Sequence, residues 1–110
     1  MTGPSAFASL RAVRSFKLSQ LEVVASFSIA DSLGHDTWTL YRPRSGRRVC
    51  VVRFDQTVRG WESERWSVFG LNGKARSIYE VLVASTGTGL EKRALLEGLT
   101  LDDASVDTSG

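Results

Sequence analysis

Residues 38–69 read WTLYRPRSGRRVCVVRFDQTVRGWESERWSVF, and the first half of this stretch decides the fold. Two runs in which apolar and polar residues alternate, 37–42 and 47–54, flank the turn sequence Pro43-Arg44-Ser45-Gly46. Alternation on both sides of a Pro/Gly turn predicts a β-hairpin. The stretch also holds all three tryptophans, the single cysteine and half of the chain's 14 lysines and arginines.

Upstream, residues 20–30 (QLEVVASFSIA) set two rules against each other. Ser19 and Glu22 have capping-box spacing, which favours a helix start. Against it, Leu21, Val23, Ala25, Phe27 and Ile29 alternate strictly in a run rich in β-branched and aromatic residues. Five alternating apolar positions outweigh a four-residue coincidence, so a strand is predicted. Residues 31–36 then form a turn. Before this strand, Phe7, Leu10 and Val13 recur every third residue and predict a short helix over 5–16. Residues 1–4 are small and polar and predict a flexible N-terminus.

Downstream, residues 55–64 (DQTVRGWESE) read as a polar loop and 65–69 as a short fourth strand. The period then changes. Asn72 is a candidate N-cap, and Ala75, Ile78, Tyr79, Leu82 and Val83 form one helical stripe, with Arg76 and Glu80 one turn apart. Thr86-Gly87-Thr88-Gly89 breaks this helix. Thr88 and Glu91 again have capping-box spacing, which predicts a second helix over 91–97 closed by Gly98. Residues 101–110 are acidic and small and predict a disordered tail.

The order predicts one α+β domain over residues 5–100. It is a four-stranded antiparallel meander, with a short N-terminal helix and two C-terminal helices packed on one face. Pairing Arg42 with Arg47 would put Trp38, Leu40, Val49 and Val51 on the core face. Thr37, Thr39, Tyr41, Arg48, Cys50, Val52 and Phe54 would then lie on a mixed opposite face.

A chain of 110 residues suits one core. No apolar run approaches the length that crosses a bilayer. The N-terminal residues lack a sustained apolar segment, so no signal peptide is predicted. A single cysteine forms no internal disulfide. These features predict a cytoplasmic protein without a membrane partner. The net charge of +2 conceals an asymmetry: residues 1–36 are neutral, 37–76 carry +6 and 77–110 carry −4. Such polarity points to a charged partner or to screening by the chain's own tail.

Catalysis finds little support. His35 and Cys50, the only residues of their types, fall in separate elements, and carboxylates are plentiful only in the tail. No His/Cys/Asp/Glu group has metal-ligand spacing, so no metal or cofactor is expected. The glycines at 86–89 lack a P-loop lysine and follow a helix rather than a strand. Residues 73–107 have the outline of a helix-turn-helix, but Arg93 and Glu97 stand where that motif wants apolar residues. Asp102, Asp103 and Asp107 would also repel phosphates.

What remains is binding. Arg42, Arg44, Arg47 and Arg48 lie within seven residues at the hairpin tip, and Arg42 facing Arg47 would be a like-charge pair unless an anion joins them. Tyr41 offers a nearby aromatic face, and Trp61 follows in the polar loop beside Arg59. These seven residues are the candidate site of a non-catalytic regulatory protein, an interaction or inhibitor module that docks on an acidic protein surface. The alternative partner is nucleic acid, whose phosphates the same arginines would hold while an aromatic stacks on a base. A strand edge and the mixed sheet face also offer a route to a homodimer.

Overall fold

The computed structural model describes residues 14–84 and 86–109. The helix predicted over 5–16 lies largely outside them; of its described residues Arg14 is helical, and Ser15 and Phe16 belong to strand β1 (Ser15–Lys17), followed by a 3-10 turn over Leu18–Gln20. Four ten-residue strands follow: β2 (Leu21–Ala30), β3 (Gly34–Pro43), β4 (Val49–Val58) and β5 (Trp61–Gly70). Then come helices α1 (Gly73–Val83) and α2 (Gly89–Glu97) and two short strands, β6 (Asp102–Asp103) and β7 (Ser105–Asp107). The sheet is five-stranded, antiparallel and ordered β2-β3-β4-β5-β6, while β1 and β7 form a separate parallel pair. The mixed α+β class with an antiparallel sheet therefore holds. The strand count is five rather than four, and the segment predicted to be a disordered tail supplies the fifth strand and half of the extra pair.

The strands are longer than the alternation suggests because their outer halves are solvated on both faces. Asp55, Gln56 and Thr57 pair with Glu64, Ser63 and Glu62, so the predicted polar loop is ladder. Its turn needs only Arg59 and Gly60, both at positive φ (51° and 84°), the geometry of a two-residue type I′ hairpin. At the β2–β3 turn, the Asp31 carboxylate accepts from the Leu33 and Gly34 amides (2.8 and 2.9 Å). Those two bonds hold its pKa below the usual carboxylate value.

Register corrects the predicted core face. Leu40 pairs with Val52, Tyr41 with Val51 and Trp38 with Phe54. Compared with an Arg42–Arg47 pairing, the odd shift sends every β4 side chain to the other face. Trp38 and Leu40 therefore join Cys50 and Val52 beneath the helices, together with Phe27, Phe69, Leu71, Ile78, Leu82 and Leu96. Both helices cover this one face, as predicted. The opposite face has a smaller core of Phe16, Leu21, Tyr41, Val51, Trp66 and Val68, against which Val106 of β7 packs. A bulge between Val23 and Ala25 lets one strand serve both. Leu21 faces the smaller core, and Phe27 faces the helices.

The helices are fixed by polar detail as well as by their stripes. Thr88 and Glu91 form the predicted capping box. Asn72 takes the N-cap position of α1 without a side-chain bond. Lys92 is buried, and its Nζ donates to the Ala84 carbonyl at the C-terminal end of α1 (2.9 Å), where the helix dipole favours a cation. At the start of α2, a Cβ on Gly89 would lie 2.3 Å from the Ser28 carbonyl oxygen of β2. That close approach seats α2 on the edge strand. Gly89→Ala should therefore lower stability by about 1–3 kcal/mol in urea or thermal unfolding. Helix propensity alone would give a gain of about 1 kcal/mol, so an unchanged or raised midpoint would show that α2 is not seated this way.

Candidate functional site

The β3–β4 turn is pinned on both flanks. The Arg44 amide donates to the Gln20 carbonyl (2.9 Å), and the Leu71 amide donates to the Arg48 carbonyl (3.0 Å). Within the turn, Gly46 adopts φ 87° and its amide reaches the Pro43 carbonyl (3.1 Å). The arginines therefore project from a fixed backbone.

They do not act alike. Arg42 is half-buried on the helix side, with its guanidinium 5.7 Å from the centre of the Tyr79 ring and Nη2 donating to the Arg47 carbonyl (3.2 Å). It clips the turn to α1, and its Nε is buried without a hydrogen-bond partner. Arg44, Arg47 and Arg48 are exposed. Arg44 approaches Glu22 at 3.7 Å, and both side chains are more than half exposed; a contact of that kind contributes about 0–1 kcal/mol and yields readily to a better anion. Arg47 lies over the Phe16 ring, 5.1 Å from its centre.

Beside these arginines the described residues form a pocket of about 250 Å³. Phe16, Leu21 and Pro43 give it an apolar floor, and Ser15, Ser19, Gln20, Ser45, Arg44 and Arg47 line its rim. Cationic forks above hydroxyl and amide donors suit a carboxylate or phosphate, and the floor suits the apolar stem that carries it. The pocket is not legible in the sequence because Phe16 of its floor comes from β1, where a helix is predicted, and meets Leu21 and Pro43 only in the fold.

The remaining predicted residues lie elsewhere. Tyr41 is buried in the smaller core and packs on Trp66 (ring centres 5.5 Å apart), so it presents no stacking face. Arg53 covers the Trp66 ring (5.6 Å) and forms ion pairs with Asp55 (2.9 Å) and Glu64 (2.8 Å); Glu64 also accepts from the Trp66 Nε1 (2.9 Å). A polar depression of about 280 Å³ opens there, but its arginine is already matched by carboxylates. Arg59 and Trp61 sit at the far end of the sheet. A ten-residue strand spans about 30 Å, so the structure does not bring them to the arginine turn. The seven residues thus divide into an arginine end (Arg44, Arg47, Arg48, with Arg42 behind), a core residue (Tyr41) and a distal tip (Arg59, Trp61).

Comparison with protein-family models, with curated proteins and with solved structures finds no match for this chain.

The chemistry of the other candidates is quiet. Among the described residues, no three His, Cys, Asp or Glu side chains converge to hold a metal. None of the described helices is long and apolar enough to cross a membrane. His35 pairs with Thr57 near the distal tip, whereas Cys50 pairs with Phe69 beneath the helices, so the two do not meet. Burial pushes the Cys50 thiol up to about 12, against a smaller downward pull from Arg42. A thiol so raised is almost wholly protonated at pH 8, with thiolate on the order of one part in ten thousand. Cys50 should therefore resist iodoacetamide in the folded protein at pH 8 and alkylate rapidly in urea, as mass spectrometry would read. Rapid native alkylation would show that the core beneath the helices opens.

Proposed function

We propose that this chain is a non-catalytic interaction module that docks on an acidic surface of a partner protein through its arginine end, in a regulatory or inhibitory role. The observation that carries the reading is that Arg44 and Arg47 line the rim of one apolar-floored pocket, with exposed Arg48 on the same fixed turn. Arginine at such a place contributes both a bidentate fork for carboxylates and a flat apolar face for packing. The backbone hydrogen bonds keep the turn ordered in the free protein, and the weak Arg44–Glu22 contact gives way when a partner carboxylate arrives.

Phosphate would satisfy the same arginines, but general binding of nucleic acid also asks for exposed rings on which bases stack. Here Tyr41 and Phe16 are buried, and Trp61 lies about 30 Å away along the strands. The protein reading is therefore preferred, and nucleic acid becomes an outcome of its test.

The test uses a glutamate-rich peptide and short single- and double-stranded DNA as probes, titrated at two salt concentrations. The peptide should bind the natural chain, and Arg44→Glu/Arg47→Glu should weaken it at least about tenfold with an unchanged melting temperature. Peptide binding that survives the double reversal would sink the proposal. Preferential DNA binding that falls steeply with salt would replace it with the phosphate reading.

A further inference from the structure

The distal tip bears an apolar cluster for which the fold has no use. Trp61 is 82% exposed, Leu33 55% and Val58 38%. Val58 and Trp61 are cross-strand partners, and the Arg59 amide joins the two tips by donating to the Leu33 carbonyl (3.4 Å). Arg59 is the one non-glycine at positive φ among the described residues, in a conformation that asparagine and glycine adopt far more readily. The conformation is the kind of local strain found at binding sites. Asp31, Asp36 and Glu62 lie at this end of the sheet against the single Arg59, so the tip is net acidic.

A knob with an apolar centre and an acidic rim is complemented by a pocket with an apolar floor and a basic rim. The chain carries such a pocket at its other end. We infer that the Trp61 tip of one molecule docks into the arginine-rimmed pocket of a second copy, head to tail. The inference rests on the reading that the arginine end takes an acidic protein partner, and it names that partner as the same chain. The indole enters beside Arg47, which already covers the Phe16 ring, and meets the pocket's apolar floor at its edge, while Glu62 and Asp31 approach Arg44 and Arg47. The pocket, at about 250 Å³, exceeds the cavity of about 150 Å³ that accepts a benzene ring. Because tip and pocket lie about 30 Å apart on the same strands, no molecule reaches its own pocket. The contact is heterologous, and a dimer keeps one free tip and one free pocket.

Sedimentation velocity over a concentration series tests this. The natural chain should gain mass with concentration and pass beyond the dimer. Trp61→Ala and Arg44→Glu/Arg47→Glu should each stay monomeric, with self-affinity lowered at least about tenfold and circular dichroism unchanged. Mixing the two variants leaves one intact tip facing one intact pocket, so the mixture should stop at a one-to-one dimer. A natural chain that is monomeric at every concentration overturns the inference, as does a mixture that never associates or a dimer that neither variant disturbs. If the glutamate-rich peptide still binds through Arg44 and Arg47 in any of those cases, self-association falls while docking on an acidic partner stands.

Discussion

The pairing of β3 with β4 is the constraint on which the rest depends. With Leu40 opposite Val52 and Trp38 opposite Phe54, one face receives Cys50, Val52 and Phe54 and the other Val51 and Arg53. Each strand then has enough apolar residues to build two cores, one closed by helices and one by Phe16 and Val106. A slip of one residue would exchange those sets and carry Arg53 with its charge to the face beneath the helices, where desolvation would penalise it. The bulge in β2 follows from the same demand, because Leu21 and Phe27 must serve opposite faces.

That register also decides what the basic middle of the chain becomes. Seven arginines close in sequence look like one patch, but strands of ten residues distribute them. Arg53 is drawn into the network around Trp66, Arg42 is held under Tyr79, Arg65 pairs with Phe54 within the ladder, and Arg59 is carried to the far tip. Only Arg44, Arg47 and Arg48 remain together. The result is a body with a basic end and an acidic, apolar tip, and this polarity is longitudinal rather than the middle-against-tail asymmetry of the linear charge pattern.

How much was legible follows from where the information sits. The alternation from Leu21 to Ile29, the stripe from Ala75 to Val83 and the Thr88–Glu91 box are local, and each formed where its spacing placed it. Helices on one face followed from them. The outer halves of β4 and β5 were hidden because residues solvated on both faces carry no hydrophobic period. The register was hidden because the Pro43–Arg48 connection is longer than the shortest hairpin loops, so it does not by itself fix the pairing. Strands β6 and β7 were hidden because acidic residues in short strands read as tail, although Asp102 and Asp103 need only their backbones to pair with Val68 and Ser67. For the candidate site, the arginine turn was visible and its pocket was not. Trp61 was conspicuous, while Leu33 and Val58 gained meaning only once two hairpin tips were neighbours.

The parallel pairing of Ser15–Lys17 with Ser105–Asp107 ties one end of the described chain to the other. The meander and its helices are built from neighbours in sequence and need only short loops to close. The β1–β7 pair instead joins Ser15 to Ser105, a wider sequence separation than that of any other strand pairing among the described residues. Phe16 and Val106 are therefore partners drawn from opposite ends of the described chain. A chain cut short before residue 105 keeps its turn arginines and loses the strand with which Phe16 of the pocket floor pairs.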